Sequence, residues 1–123
     1  MTPEEFLKNY ENALATQNWH EISPFIHENS CVTFSDGKTY KGKSEVKKAF
    51  ERNFSIIKDE DYSMSDIYWI LKTNKIAVYN FTFKWKGLID GKFAQGEGKG
   101  TSVLVVNNNK IQLLSEHLTT SRI

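Results

Sequence analysis

From Tyr62 onward the chain is a series of four β-prone segments, at about 62–72, 76–89, 93–106 and 110–120, separated only by TNK, DGK and NNN. Parallel neighbours need a crossover of a dozen residues or more, so strands joined this tightly pair as an antiparallel meander.

The first half carries helical signals. Thr2, Pro3 and Glu5 form a capping box with proline at the first helical position, and Phe6, Tyr10, Ala13 and Leu14 then make one apolar stripe. Asn18 with Glu21 opens a second, short helix that Pro24 kinks or restarts. The β-prone SCVTFS and the returning KTYKG flank Asp36-Gly37 as a hairpin arm, and Val46, Phe50, Phe54 and Ile57 predict a third helix from about 43 to 57. The order α, α, hairpin, α, meander predicts an α+β fold. Three N-terminal helices are expected to cover the concave face of a curved, mostly antiparallel sheet.

A chain of 123 residues suits one domain, 1–123. Sixteen Lys plus Arg against fifteen Asp plus Glu leave +1, and the basic cluster Lys41, Lys43, Lys47, Lys48 is broken by Glu45. Nucleic acid is therefore not an expected partner. Cys31 is alone, which excludes an internal disulfide. No basic, apolar leader opens the chain and no window reaches the length of a membrane span, so a cytoplasmic location away from membranes is expected. His20, His27 and His117 lack metal-site spacing, and GEGKG does not lead into a helix as a phosphate cradle would. No metal and no cofactor is expected.

The stretch GEGKGTSVLVV, residues 96–106, places Gly96, Gly98 and Gly100 on one face and Glu97, Lys99 and Thr101 on the other. A three-residue loop at 107–109 pairs Val105 with Ile111 and Val103 with Leu113, whereas a two-residue loop puts Gln112 and Glu116 on that face. The first register matches apolar with apolar. It sets Thr101 opposite Ser115, Lys99 opposite His117 and Glu97 opposite Thr119, a polar patch continuing an apolar one, as where a core opens into a cavity. The glycines are then expected on the convex side. Tyr79, Phe81, Phe83 and Trp85 alternate as an apolar wall, with Trp19 of the second helix as a further candidate. Asp90-Gly91 favours a two-residue turn that would set Phe81 and Phe83 against the glycines instead, and a bulge could reconcile the two.

On this register His117 is a general base or a hydrogen-bonded histidine at the pocket edge, and Glu97 a second candidate base. Lys99 either pairs with Glu97 or holds a ligand carboxylate. Ser115, Thr101 and Thr119 complete the candidate ligand-binding set.

The chain resembles the NTF2-like superfamily, in particular its SnoaL-like and DUF4440 group, often labelled ketosteroid-isomerase-like. The residues that carry the resemblance are Gly98, Lys99, Gly100, Thr101 and Val103, then His117, Leu118 and Thr119, together with YENALATQNWHEISPFI and FSDGKTYKGKSEVKKAF. Ile111 stands where relatives commonly have Trp, and Asn108-Asn109 replaces the usual Asp-Gly turn. The resemblance implies a cone-shaped, cystatin-like α+β fold, usually dimeric through the sheet, with a pocket for a small organic molecule between sheet and helices. Its members include isomerases, dehydratases and cyclases alongside non-catalytic binding or interaction modules, so a catalysed reaction is left open. In ketosteroid isomerases tyrosines donate to an oxyanion, a role Tyr10 could take. Phe34 stands about where those enzymes carry their Asp, which disfavours a true steroid isomerase.

Overall fold

The computed structural model describes residues 1–121. Helix α1 (Pro3–Ala15) and a short α2 (Trp19–Ile22) pass through a 3-10 turn at Ser23–Phe25 into β1 (Ile26–Thr33) and β2 (Thr39–Lys41). Helix α3 (Lys43–Ile56) precedes β3 (Lys58–Lys72), β4 (Ile76–Ile89), β5 (Lys92–Asn107) and β6 (Lys110–Thr120). The capping box opens α1: Thr2 Oγ1 accepts from the Glu5 amide at 3.1 Å, and the Glu5 carboxylate reaches back to the Thr2 amide. Pro24 ends α2 as its fixed φ and missing N–H require.

The strands form one sheet in the order β2-β1-β6-β5-β4-β3, antiparallel except where β1 runs parallel to β6. The helices lie on its concave face. Phe6, Leu7, Tyr10 and Ala13 of α1 and Val46 and Phe50 of α3 form one buried cluster with Ala77, Tyr79, Phe81 and Phe83 of β4 and with Leu104, Ile111, Leu113 and Leu118 of the closing hairpin. The α1 stripe reaches β3 as well, where Glu11 Oε2 accepts from the Met64 amide at 2.8 Å.

Two tight turns decide which face of β5 is inner: the first takes the two-residue form that Asp90-Gly91 favours, and the second differs from the expected register. Asp90 and Gly91 take φ of 52° and 75°, so the turn is the two-residue kind and Trp85, Phe83 and Phe81 pair with Gly96, Gly98 and Gly100. Asn108 and Asn109 take φ of 53° and 62° and close a second two-residue turn in which Val106 pairs with Ile111 and Leu104 with Leu113. Asparagine tolerates this backbone region, so the loop at 107–109 is one residue shorter than expected. The glycine row therefore lies on the concave face beneath aromatic rings, and Glu97, Lys99 and Thr101 point outward. The reason is volume. A Cβ on Gly100 would collide with the Phe81 ring and Leu118, and one on Gly98 with the Phe83 ring and the Thr119 carbonyl.

This packing sets a stability test by urea unfolding. Gly100→Ala and Gly98→Ala should each cost about 1–3 kcal/mol by overpacking. Combining Gly100→Ala with Phe81→Leu, which frees the space the new methyl needs, should be less destabilising than the sum of the two single changes. Additive costs would mean that ring and glycine are not in contact.

Candidate functional site

A cavity of about 240 Å³ lies between the concave sheet, α1 and α3. Tyr10 and Leu14 enter from α1, Phe50, Asn53 and Phe54 from α3, and Phe34, Ser35 and Asp36 from the β1–β2 connection. The sheet side is Glu60 and Tyr62 of β3, Phe83 and Trp85 of β4, and Glu116 and Leu118 of β6, with Ile57 at the end of α3. Aromatic packing holds the wall: Phe34 meets Phe50 edge-on at 5.8 Å, and Tyr62 stacks on Phe83 at 6.3 Å.

Glu116 reaches the floor because of a bulge. Val103 pairs with Ser115 but Leu104 pairs with Leu113, which leaves Leu114 as an extra residue in β6. The insertion reverses the alternation beyond it, so Glu116 and Leu118 follow Leu113 onto the inner face while Ser115 and His117 turn outward. Glu116 is 7% exposed. Its Oε2 accepts from Ser102 Oγ at 2.7 Å, and Oε1 accepts no hydrogen bond from the described residues. Burial disfavours the charged form and pushes its pKa up to about 7, a shift the Ser102 hydroxyl only partly offsets. Tyr10, Tyr62 and Tyr79 surround it, and burial followed by the nearby Glu116 charge pushes all three phenols up, so they remain neutral donors. The Tyr79 hydroxyl is buried and makes no hydrogen bond among the described residues. Burial also raises the pKa of Glu60, which lines the cavity from β3.

The residues singled out in the sequence divide between two faces. Tyr10, Phe83 and Trp85 line the cavity, Tyr79 and Phe81 lie in the core behind it, and Trp19 packs on Phe50 from α2 without lining it. Glu97, Lys99, Thr101, Ser115, His117 and Thr119 are on the outer face, the reverse of expectation, because Asp90-Gly91 takes its two-residue form, the turn at 108–109 is one residue shorter than expected and β6 carries the bulge. Lys99 lies opposite Thr119 and donates to Thr82 Oγ1 at 2.6 Å, and His117 lies opposite Thr101. Glu116, Glu60 and Tyr62 were not candidates. The spacing of Leu113 and Leu118 could have revealed Glu116: five residues apart, they share a face only if a bulge lies between them.

The titration of Glu116 gives stability a defined pH dependence. Unfolded, the carboxyl loses its proton near 4.5; folded, it keeps it to about 7. Between these values the native state binds more protons, so this contribution is full below pH 4.5, falls as pH rises and is lost above pH 7, about 3 kcal/mol in all. Urea unfolding from pH 4.5 to 8 should show wild type losing about that much relative to Glu116→Gln. A constant difference between the two would place the carboxyl in water.

No family model matches the chain, and no curated protein matches it. Solved structures do. An NTF2-like superfamily protein from Salmonella enterica serovar Typhimurium superposes with a TM-score of 0.85 at 10% identity, covering 97% of this chain and 88% of that one. A candidate scytalone dehydratase from Novosphingobium aromaticivorans gives 0.84 at 15% identity over 97% and 81%. The CaMKII hub of S. rosetta gives 0.77 at 17% identity over 95% and 92%. Agreement over almost the whole chain, with three helices closing a curved six-stranded sheet around a cavity, establishes that the chain has the NTF2-like fold.

Proposed function

We propose that the chain is a SnoaL-like protein whose cavity takes a small, partly apolar organic molecule, with Glu116 exchanging a proton with it. The observation that carries this reading is a buried carboxyl with one unpartnered oxygen at the floor of an aromatic-walled cavity. Such a group is costly to bury and finds its use where a ligand completes its hydrogen bonding. A carboxyl that titrates near neutrality suits both halves of a proton transfer, as base to a C–H or as acid to a leaving hydroxyl. Tyr10 and Tyr62 supply hydroxyl protons beside it that can stabilise negative charge developing on an oxygen. Isomerisation and dehydration are the reaction classes this set serves. The likeness in fold to a candidate dehydratase accords with that choice. The acid–base role the sequence suggested for His117 and Glu97 passes to Glu116, because the sheet separates the outer face from the cavity.

Binding is testable before any substrate is known. Titration with p-cresol, followed by amide NMR, should give saturable shifts at Glu116, Leu118 and Asn53. Asn53→Trp, which replaces a cavity-lining side chain of α3 with a bulkier indole, should remove them. No saturable shift in wild type, or equal shifts in both proteins, would contradict the reading.

The outer face favours a second role alongside the first. Leu71, Val78 and Val103 pair in a row across three strands, and Tyr68, 68% exposed, stands beside them on β3. An apolar row on the open outer face of β3, β4 and β5 is suited to a second copy of the chain, and we infer a homodimer through this face. Sedimentation equilibrium should find a dimer for wild type and a monomer for the Tyr68→Glu, Val103→Lys double variant. A monomeric wild type, or a double variant that still dimerises, would remove this role.

A further inference from the structure

The charge of the cavity narrows the class of molecule it can take. Among the described residues, its ionisable side chains apart from the tyrosines are Asp36, Glu60 and Glu116, with no Lys, Arg or His in the lining. Arg52 is already engaged, pairing with Asp36 at 4.0 Å and donating to Tyr40 OH at 2.7 Å. An anion would therefore meet Glu60 and Glu116, neither of which has a cationic partner among the described residues, in a space where water screens poorly. A neutral ligand would leave the open oxygen of Glu116 without a cation once that group ionises.

We propose that the cavity ligand is an organic cation, a small amine or quaternary ammonium with one or two rings, whose charge pairs with Glu116 and whose apolar part lies on the aromatic wall. This rests on reading the cavity as a ligand site and adds the ligand's charge. Tyr10, Tyr62, Phe83 and Trp85 line the same cavity as the carboxyl, and aromatic rings attract cations most strongly when the charge is desolvated. A metal ion is not the cation: among the described residues no three His, Cys, Asp or Glu side chains converge on one point. Size fits too. A cavity of roughly 150 Å³ holds a benzene, so about 240 Å³ accommodates one or two rings.

Pairing with Glu116 makes affinity depend on pH. The groups facing it are Tyr10 from α1, Tyr62 from β3, Tyr79 from β4 and Ser102 from β5, all neutral near pH 7, with Glu60 and Asp36 elsewhere in the lining and Glu11 close to Tyr62. Glu60, raised by burial, acts in the same direction as Glu116. With a midpoint near 7, the ionised fraction of Glu116 rises about tenfold from pH 6 to pH 8, and affinity for a permanent charge rises with it.

Calorimetric titration with benzylammonium, benzyl alcohol and benzoate, three probes of one size and three charges, tests the proposal. At pH 8 wild type should bind benzylammonium at least tenfold more tightly than benzyl alcohol, with benzoate weakest. Glu116→Gln should lose at least tenfold for benzylammonium and less than twofold for the alcohol. Independently of that variant, wild-type affinity for benzylammonium, charged throughout the range, should rise about tenfold from pH 6 to pH 8 while that for the alcohol stays level. Benzyl alcohol or benzoate binding as tightly as the ammonium, or a flat pH profile for the ammonium, would overturn the cation while leaving the ligand cavity intact. Failure of all three probes to bind would remove both.

Discussion

The packing of three aromatic rings on three glycines fixes the rest of the molecule. Trp85, Phe83 and Phe81 on β4 lie against Gly96, Gly98 and Gly100 on β5, and the absent Cβ atoms are the space the rings occupy. One face of β5 is thereby committed to the core, and with it the concave side on which both long helices dock. Glu97, Lys99 and Thr101 are committed to the outside by the same contact. Strand alternation leaves no intermediate arrangement, because a one-residue slip would exchange every side chain between the faces. The type I′ turn at Asp90-Gly91 holds the register from one end.

The bulge at Leu114 does for function what the glycines do for folding. Without it β6 would turn Glu116 to solvent. With it, a carboxyl that costs free energy whenever it ionises is held at the floor of a cavity, supported by one hydroxyl and ringed by phenols. Burying such a group against an apolar core lowers stability near neutral pH, and local rules are broken in this way mainly at sites that bind or react. Ser102, which does not line the cavity, still tempers the state of the carboxyl that does, through its hydrogen bond to Glu116.

Most of the fold was legible in the sequence because its signals are local. The capping box at Thr2–Glu5, the apolar stripes of α1 and α3, and the turn residues between the long strands each act over a few positions, and the element order follows from them. The site was less legible because it depends on register. Asn107, Asn108 and Asn109 offer loops of two or three residues, and matching Val103 with Leu113 favoured the wrong one. That single choice placed His117 and Lys99 inside and Glu116 outside. The correct answer combines a shorter turn with a bulge four residues later. Two departures that offset each other's effect on the apolar match are hard to separate by pattern alone. Tyr10, Phe83 and Trp85 line the cavity as anticipated from their own elements, since helical periodicity and the alternation of β4 do not depend on the β6 register.

A carboxyl that stays protonated to neutral pH inside an aromatic cavity is the centre of this description. Carbon-13 NMR of the Glu116 side-chain carboxyl across pH 3 to 10 measures it without a ligand or a substrate. A titration midpoint near 7 is the expected result. A midpoint near the ordinary 4.5 would mean a solvated carboxylate, and the cavity floor would then lack the group on which both the proton transfer and the cation site depend.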